Sequence, residues 1–393
     1  MKKNKIKLDL ASVGVLLLFS VYYAFYYVDF NDGVVEGENY LTLFLKVAAI
    51  LILLFTVFTN IELNRRNIVG FAVFSLLPTI FFVGKVYMGV NDYYYLNFLI
   101  FTPLLLLSLR QVIRLAELLP ILISIQVVVD IAIRSISDKI LWTNQAFVGG
   151  MGNPSTFGVT CVICIIFLIS NRSINIKIKR ILYVILSVGA FLSQSMLALL
   201  LLLITSLAYA WIYVMLLFAS LLTVMTFVAN DYFDSSSHNI NKIFALWKFG
   251  ISSNSEAESV YGRIDWLNLH LMRISDGKLS LLWGDWIDYG FMSGDNQLLG
   301  ILSLGGLTLL IPFISFIAMR FKLFIFKKSQ FKKEIFLLGV MHILFFSFNR
   351  SLEYFPYSFV FFISARLSEN LHESKVYYEN YFTGSLCKTQ PLI

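Results

Sequence analysis

Apolar runs of about 17 to 25 residues recur along this chain from end to end, and no other feature restricts its fold as much. Each is long enough to cross a hydrocarbon core of about 30 Å as a helix. The runs are continuous, without the alternation of a β-barrel strand, so helical spans are expected. Composition agrees: 58% of the 393 residues are apolar and only 14% are charged, against about a quarter charged in a soluble domain. A chain of this kind cannot cover itself with a water-compatible surface. It reads as an all-α polytopic membrane protein embedded in a lipid bilayer.

The basic residues cluster between the apolar runs: "MKKNKIK" at the start, "NRRN" (64–67), "RQVIR" (110–114), "NRSINIKIKR" (171–180) and "RFKLFIFKKSQFKK" (320–333). The net charge of +7 is therefore read as the Lys/Arg excess of cytoplasmic loops, not as a nucleic-acid surface. Working from loop to loop gives about twelve spans. They lie near 10–28, 40–59, 68–84, 94–109, 115–133, 156–170, 181–193, 196–209, 211–229, 296–317, 334–348 and 354–367. Two long spans would fill 181–229 best by length. Only an odd number returns 320–333 to the basic side, so three short spans are expected. Both termini are then cytoplasmic, with 21 Lys and Arg on the inner side, counting Arg366 at the inner end of the last span, 9 in outer loops and Lys46 within a span. The first run has a basic front but no small-residue cleavage site, so a retained helix is expected rather than a signal peptide. The domain plan is a bundle over 1–229, an external subdomain over 230–295, a second bundle over 296–367 and a tail over 368–393.

The external stretch 230–295 is several times longer than the roughly 15 residues that loops seldom exceed unless functional or disordered. It contains two helical patterns, "KIFALWKFGI" and "ESVYGRIDWLNLHLMRI", and is where chemistry is expected. On one helix over 257–274, Arg263, Trp266, His270 and Arg273 fall within roughly 80° of arc. An adjacent apolar stripe, Ile264, Leu267, Leu271 and Ile274, would lie against the membrane or the bundle. Paired guanidiniums suit bidentate contact with phosphate oxygens, which beside a membrane points to a phosphorylated lipid headgroup. The plainer alternative is an interfacial helix whose cations meet anionic lipid.

Three further segments offer polar groups at span boundaries. In "GMGNPSTFG" (150–158), Asn153 is a helix cap with Pro154 at the first helical position, or part of an anion-accepting helix N-terminus. The serines of "LSQSMLALL" (192–200) form a turn or line a polar vestibule. In "SGDNQLLGILSLGG" (293–306), Asp295 reads as a cap or as a general base, and the two are compatible. Arg134, Lys139, Arg350 and Glu353 stand in outer loops, and Lys46 is read as snorkelling from a helix face. Cys161 and Cys164 form a C-x-x-C inside an apolar run, without a second pair or a nearby His. With Cys387 they make neither a disulfide framework nor a metal site.

Taken in order, these segments resemble the O-antigen polymerase and ligase superfamily. "GNPSTFG", "LSQSMLALL", "GRIDWLNLHLMRISDGKLSLLWGDW" and "SGDNQLLGILSLGGLTLLIPF" look like its Gly-Asn-Pro segment, its Ser-x-Ser-Arg turn, its Gly-Arg external segment and its closing Asp/His-Asn motif. The motifs cover roughly 150–317, and the rest of the likeness is span count. The resemblance implies a GT-C-like fold and a metal-independent, cofactor-free inverting glycosyltransferase. Its substrate would be undecaprenyl-pyrophosphate-linked oligosaccharide at the periplasmic face of a bacterial inner membrane. It implies two catalytic residues, Arg263 to hold the pyrophosphate and Asp295 as base. Arg273, His270, Asn153, Asn296, Arg134 and Arg350 are then the candidate substrate-binding residues. Arg273 with Gly284 also fits an Arg-x10-Gly spacing of polymerase loops.

One departure matters: Met196 occupies the place of the motif's Arg, leaving Arg134, Lys139, Arg273 or Arg350 to replace that cation. Asp295 in place of the ligases' His favours a Wzy-type polymerase, which joins repeat units into O-antigen or capsule with a flippase and a chain-length regulator as partners. The alternatives are an O-antigen ligase and a flippase of lipid-linked sugars. For a flippase, the spans lack both central charges and repeat symmetry.

Overall fold

A computed structural model of the chain describes residues 10–28, 30–31, 34–35, 40–87, 94–134, 136, 146–171, 174–227, 258–285, 296–323, 332–349, 351–352 and 354–370. Among these, the helices are α1 (Leu10–Val28), α2 (Tyr40–Thr59), α3 (Arg65–Tyr87), α4 (Leu109–Arg134), α5 (Pro154–Ser170) and α6 (Ile176–Leu192). Then follow α7 (Met196–Tyr209), α8 (Trp211–Phe227), α9 (Glu258–Ser275), α10 (Gln297–Arg320), α11 (Lys332–Phe348) and α12 (Phe355–Asn370). A 3₁₀ segment, Tyr94–Leu106, lies between α3 and α4. Two short antiparallel hairpins complete the described structure: β1 (Phe30–Asn31) with β2 (Val34–Val35), and β3 (Leu279–Ser280) with β4 (Gly284–Asp285).

Each of the twelve expected apolar segments coincides with a helix, because an apolar run can bury its backbone polar groups only by pairing them internally. Among the described residues, three helices, α3, α4 and α10, are long and apolar enough to cross a membrane. The 3₁₀ segment reaches roughly 26 Å with thirteen residues, where an α-helix would reach roughly 20 Å. In α3 a π turn over Ala72–Leu76 precedes Pro78. Proline has no N–H to return to Phe74, and the wider turn absorbs the mismatch, with the Leu77 N–H reaching Ala72 O. Apolar side chains such as Phe55, Phe58, Ile80, Leu207 and Leu222 are exposed on the bundle's outer faces, which fits contact with a bilayer.

The middle of the bundle is α5. Its side chains from Thr156 to Leu168 are all buried, as expected of a helix apolar on every face. Cys161 and Cys164 are buried there as free thiols. A second aromatic centre joins α3, α10, α11 and α12, with Phe74 touching Phe313, Phe316, Phe361 and Phe362.

Polar contacts gather at the two ends of the bundle. At one end Arg320 donates to Arg66 O (2.8 Å) and Asn67 Oδ1 (3.2 Å). There also the fully buried Arg366 donates to Leu107 O (2.9 Å) and to Glu62 Oε2 (2.8 Å). At the other end the Asn296 amide donates to Ser347 O (2.8 Å), the Leu352 N–H to Gln297 Oε1 (3.0 Å) and the Tyr23 hydroxyl to Asp130 Oδ1 (3.2 Å). Segments that the charge pattern assigns to the same side meet each other throughout. In the weakest stretch of the sequence reading, 181–229, the three helices α6, α7 and α8 alternate in direction. Tyr183, near the start of α6, meets Ser206 near the end of α7 (2.5 Å) and the carbonyl of Tyr213 near the start of α8 (3.1 Å).

Candidate functional site

The site is built on a break in α10. Gly305 (φ −141°, ψ 15°) and Gly306 (φ 61°, ψ −154°) leave the helical region, although the helix resumes at once. In an unbroken helix the Leu307 and Thr308 N–H groups would donate to Ser303 O and Leu304 O. Here they donate instead to Leu281 O (2.8 Å) and Leu282 O (3.3 Å), at the tip of the β3–β4 hairpin. The freed Ser303 carbonyl accepts from Lys85 Nζ (2.6 Å), at the far end of α3. A hairpin is thus grafted onto a broken membrane helix, with the Leu307 and Thr308 N–H groups and the Ser303 carbonyl all satisfied.

Two glycines make the graft possible. Gly306 has a positive φ, and any Cβ on it would collide with the backbone of Leu282 and Trp283. Gly284 (φ +82°) likewise presses on the Ser303 carbonyl, which a Cβ would meet at 2.5 Å.

Helix α9 brings the side chains that complete the cluster. The His270 ring is buried with Nε2 3.0 Å from Ser303 Oγ. Arg273 forms an ion pair with Asp285 on β4, and both side chains are largely buried. The charges of Asp285 and Arg273 both act on Lys85. Lys85, His270, Arg273, Asp285 and Ser303 thus form one polar nest where α3, α9, the hairpin and α10 meet. It lies at the bundle end opposite Arg66 and Arg320. Ser303 and Arg320 are seventeen residues apart on α10, about 26 Å at the helical rise.

Of the two faces expected on α9, the His270–Arg273 face packs on the protein. Of the apolar stripe, Leu267 and Leu271 are exposed and Ile274 is half-buried, so the exposed part of that stripe fits the membrane alternative and not the bundle. Arg263 lies on α9, but its side chain, like that of Arg134, is outside the described residues, as are Asp295, Lys139, Arg350 and Glu353. The "KIFALWKFGI" pattern is outside them too.

The cap of α10 corrects the sequence expectation, because Asn296, not Asp295, is the N-cap. Its backbone is extended (φ −122°, ψ 112°), and its Oδ1 accepts from the Leu298 (2.9 Å) and Leu299 (3.1 Å) N–H groups. Asn153 caps α5 in the same way, accepting from the Ser155 N–H at 2.8 Å. The "SQS" segment is the α6–α7 turn. Ser195 caps α7 through the Ala198 N–H (3.3 Å), and Gly158 lets the Ser193 side chain pack against α5. Lys46 places Nζ 3.0 Å from the Phe25 ring centroid.

The four sequence motifs therefore meet in two pairs. "GNPSTFG" packs on "LSQS", and residues 270–285 of the third motif pack on residues 303–308 of the fourth. Sequence reasoning singled out His270, Arg273 and Gly284 but missed Lys85, Asp285, Ser303 and Asp130. For Lys85 and Asp130 a signal existed, a charge within or at the edge of an apolar run. Comparison with protein families, curated proteins and solved structures finds no match to this chain.

Proposed function

We propose that the chain is a polysaccharide repeat-unit polymerase acting on undecaprenyl-pyrophosphate-linked oligosaccharides to build O-antigen or capsule. The observation that supports this most is the convergence of Lys85, His270, Arg273 and Asp285 on the α10 break. His270, Arg273, Asp285 and the break itself lie in the two segments that resemble the polymerase motifs, and Lys85 joins them from α3. On this reading the Ser303 end of the bundle faces the periplasm, and the end with Arg66, Arg320 and Arg366 faces the cytoplasm, in keeping with the basic loops. Twelve crossings and two cytoplasmic termini complete the topology in an inner membrane.

The proposed reaction is a single displacement. The acceptor hydroxyl oxygen attacks the anomeric carbon of the growing glycan, and the new bond forms on the face opposite the departing one. The bond to the pyrophosphate oxygen breaks, and undecaprenyl pyrophosphate leaves with the bonding pair. Asp295, beside the capped start of α10, takes the hydroxyl proton. Arg263 neutralises the pyrophosphate, with Arg273 as a helper whose guanidinium Asp285 orients. His270, seated on Ser303, positions α9. Asn153 and Asn296 set two helix starts at the same end, and Arg134 and Arg350 are the further cations assigned to that side.

The test is complementation of a deletion strain, read on lipopolysaccharide gels. The polymerase reading expects core carrying a single repeat in the deletion strain, a full ladder with the intact chain, and no ladder with Arg263→Ala or Asp295→Ala at normal membrane levels. Bare core would point to a ligase, and lipid-linked units held on the cytoplasmic face to a flippase. A full ladder from both variants would remove the site assignment.

A further inference from the structure

The hairpin that completes the polar nest carries an apolar tip in the opposite direction. Leu279 and Asp285, in its two strands, are buried against the protein, whereas Leu281, Leu282 and Trp283 are 47%, 56% and 55% exposed. Helix α9 continues this surface with Leu267, Leu271 and Met272, all exposed. The tip is not at the end of α10. Leu281 and Leu282 accept hydrogen bonds from Leu307 and Thr308, ten or more residues inside the helix start at Gln297. Leu307 is thirteen residues from Arg320, about 20 Å along the helix, within a hydrocarbon core of about 30 Å.

A loop is normally excluded from that depth because its bare N–H and C=O groups cannot be satisfied in lipid. This one meets much of that condition. Leu279 pairs with Asp285 and Ser280 with Gly284, the Leu281 and Leu282 carbonyls are taken by α10, and the Trp283 N–H donates to Ser280 Oγ (3.2 Å). We infer that the α9–hairpin unit is a membrane-inserted wedge, with residues 281–283 in the acyl region of the leaflet and the α9 apolar stripe lying along its interface. The occupant of this surface is the bilayer. Trp283 suits an interfacial position, having an apolar body and one polar N–H. The wedge ties the polar nest to the lipid boundary. A substrate with a lipid tail and a charged headgroup could then reach the nest from the side, without leaving the leaflet. The insertion itself is independent of the polymerase reading.

The test uses the full chain in phospholipid vesicles, its three cysteines replaced by alanine and nitroxides placed singly at 282, 271, 278 and 311. Collision with oxygen, which partitions into lipid, is compared with collision with a water-soluble nickel chelate. Ile311 is an exposed α10 residue and Lys278 an exposed residue of the α9–β3 turn. The expected result is oxygen-dominated collision at 282, close to that at 311 and several-fold above 278 in the oxygen-to-nickel ratio, with 271 between them. Nickel-dominated collision at 282 with a lipid signal at 311 overturns the wedge alone. A water signal at 311 overturns it through its premise that α10 crosses the membrane. Dipolar broadening at 282 that disappears on dilution with unlabelled chain would assign the surface to a second copy instead of lipid. Activity plays no part in any arm, so loss of the polymerase reading leaves this result unaffected.

Discussion

Replacing Gly306 with alanine probes the graft between the hairpin and α10 more sharply than any other single change. The Gly306 backbone (φ 61°, ψ −154°) lies in a region open essentially to glycine, and an L-residue there costs about 1–3 kcal/mol. The added methyl also has no space, because the atoms it meets are the Leu282 carbonyl and the Trp283 nitrogen, backbone of the hairpin and not flexible side-chain ends. Forced overpacking of this kind costs about a further 1–3 kcal/mol. The helix relieves both by releasing the hairpin, which uncovers the Leu307 and Thr308 N–H groups. Hydrogen exchange by mass spectrometry on the detergent-solubilised chain reads this directly. A combined cost of about 3 kcal/mol predicts roughly a hundredfold faster exchange in peptides covering 279–285 and 303–310. Gly277→Ala is the control: its φ is +70° but nothing lies within 4 Å of the added carbon, so it carries only the conformational cost of about 1–2 kcal/mol. Equal exchange in the Gly306→Ala and Gly277→Ala proteins would refute the close backbone approach.

Four other outcomes follow from the same contacts. Lys85→Met strands the Ser303 carbonyl, at about 1–3 kcal/mol less the relief of a buried ammonium, and should raise exchange at 303–310 and not at α5. Breaking the buried Arg273–Asp285 pair from one side should cost about 3–5 kcal/mol in thermal melts, and the Arg273→Met/Asp285→Leu double variant should melt above either single one. Arg366→Met should destabilise more than Glu62→Gln, because it also strands Leu107 O while the Glu62 side chain is 47% exposed; equal melting temperatures would contradict this. Asn296→Ala should lose about 1 kcal/mol of helix capping, whereas Asp295→Ala should keep its melting temperature and lose only activity.

The positions of the helices were legible in the sequence because a span must be a continuous apolar run, and that condition is local. That three helices and not two fill 181–229 was legible for a different reason: it follows from charge on either side of the stretch. The break at Gly305–Gly306 was not, since "LSLGG" alone reads as small residues inside a span. What makes it a break is the arrival of a hairpin from the 279–285 segment. Lys85 lies 218 residues from Ser303, and no periodicity couples two such positions. The choice of Asn296 over Asp295 as cap was also closed to sequence reasoning, because both side chains cap well and only the backbone torsions decide. His270 and Arg273 were correctly grouped on one face of α9, but the protein-facing direction of that face depended on the hairpin. The 3₁₀ geometry of Tyr94–Leu106 likewise left no mark in an apolar run of that length.

In the proposed function this chain joins lipid-linked repeat units through Arg263 and Asp295. The most direct measurement is reconstitution of the purified chain in phospholipid vesicles with lipid-linked oligosaccharide extracted from its own cells after deletion of the chain. Products are resolved by length on a gel. A polymerase gives a ladder of two and more repeats with release of one undecaprenyl pyrophosphate per bond formed, and single repeats only with Arg263→Ala or Asp295→Ala. Single repeats with the intact chain, or a full ladder from both variants, would contradict the proposed function.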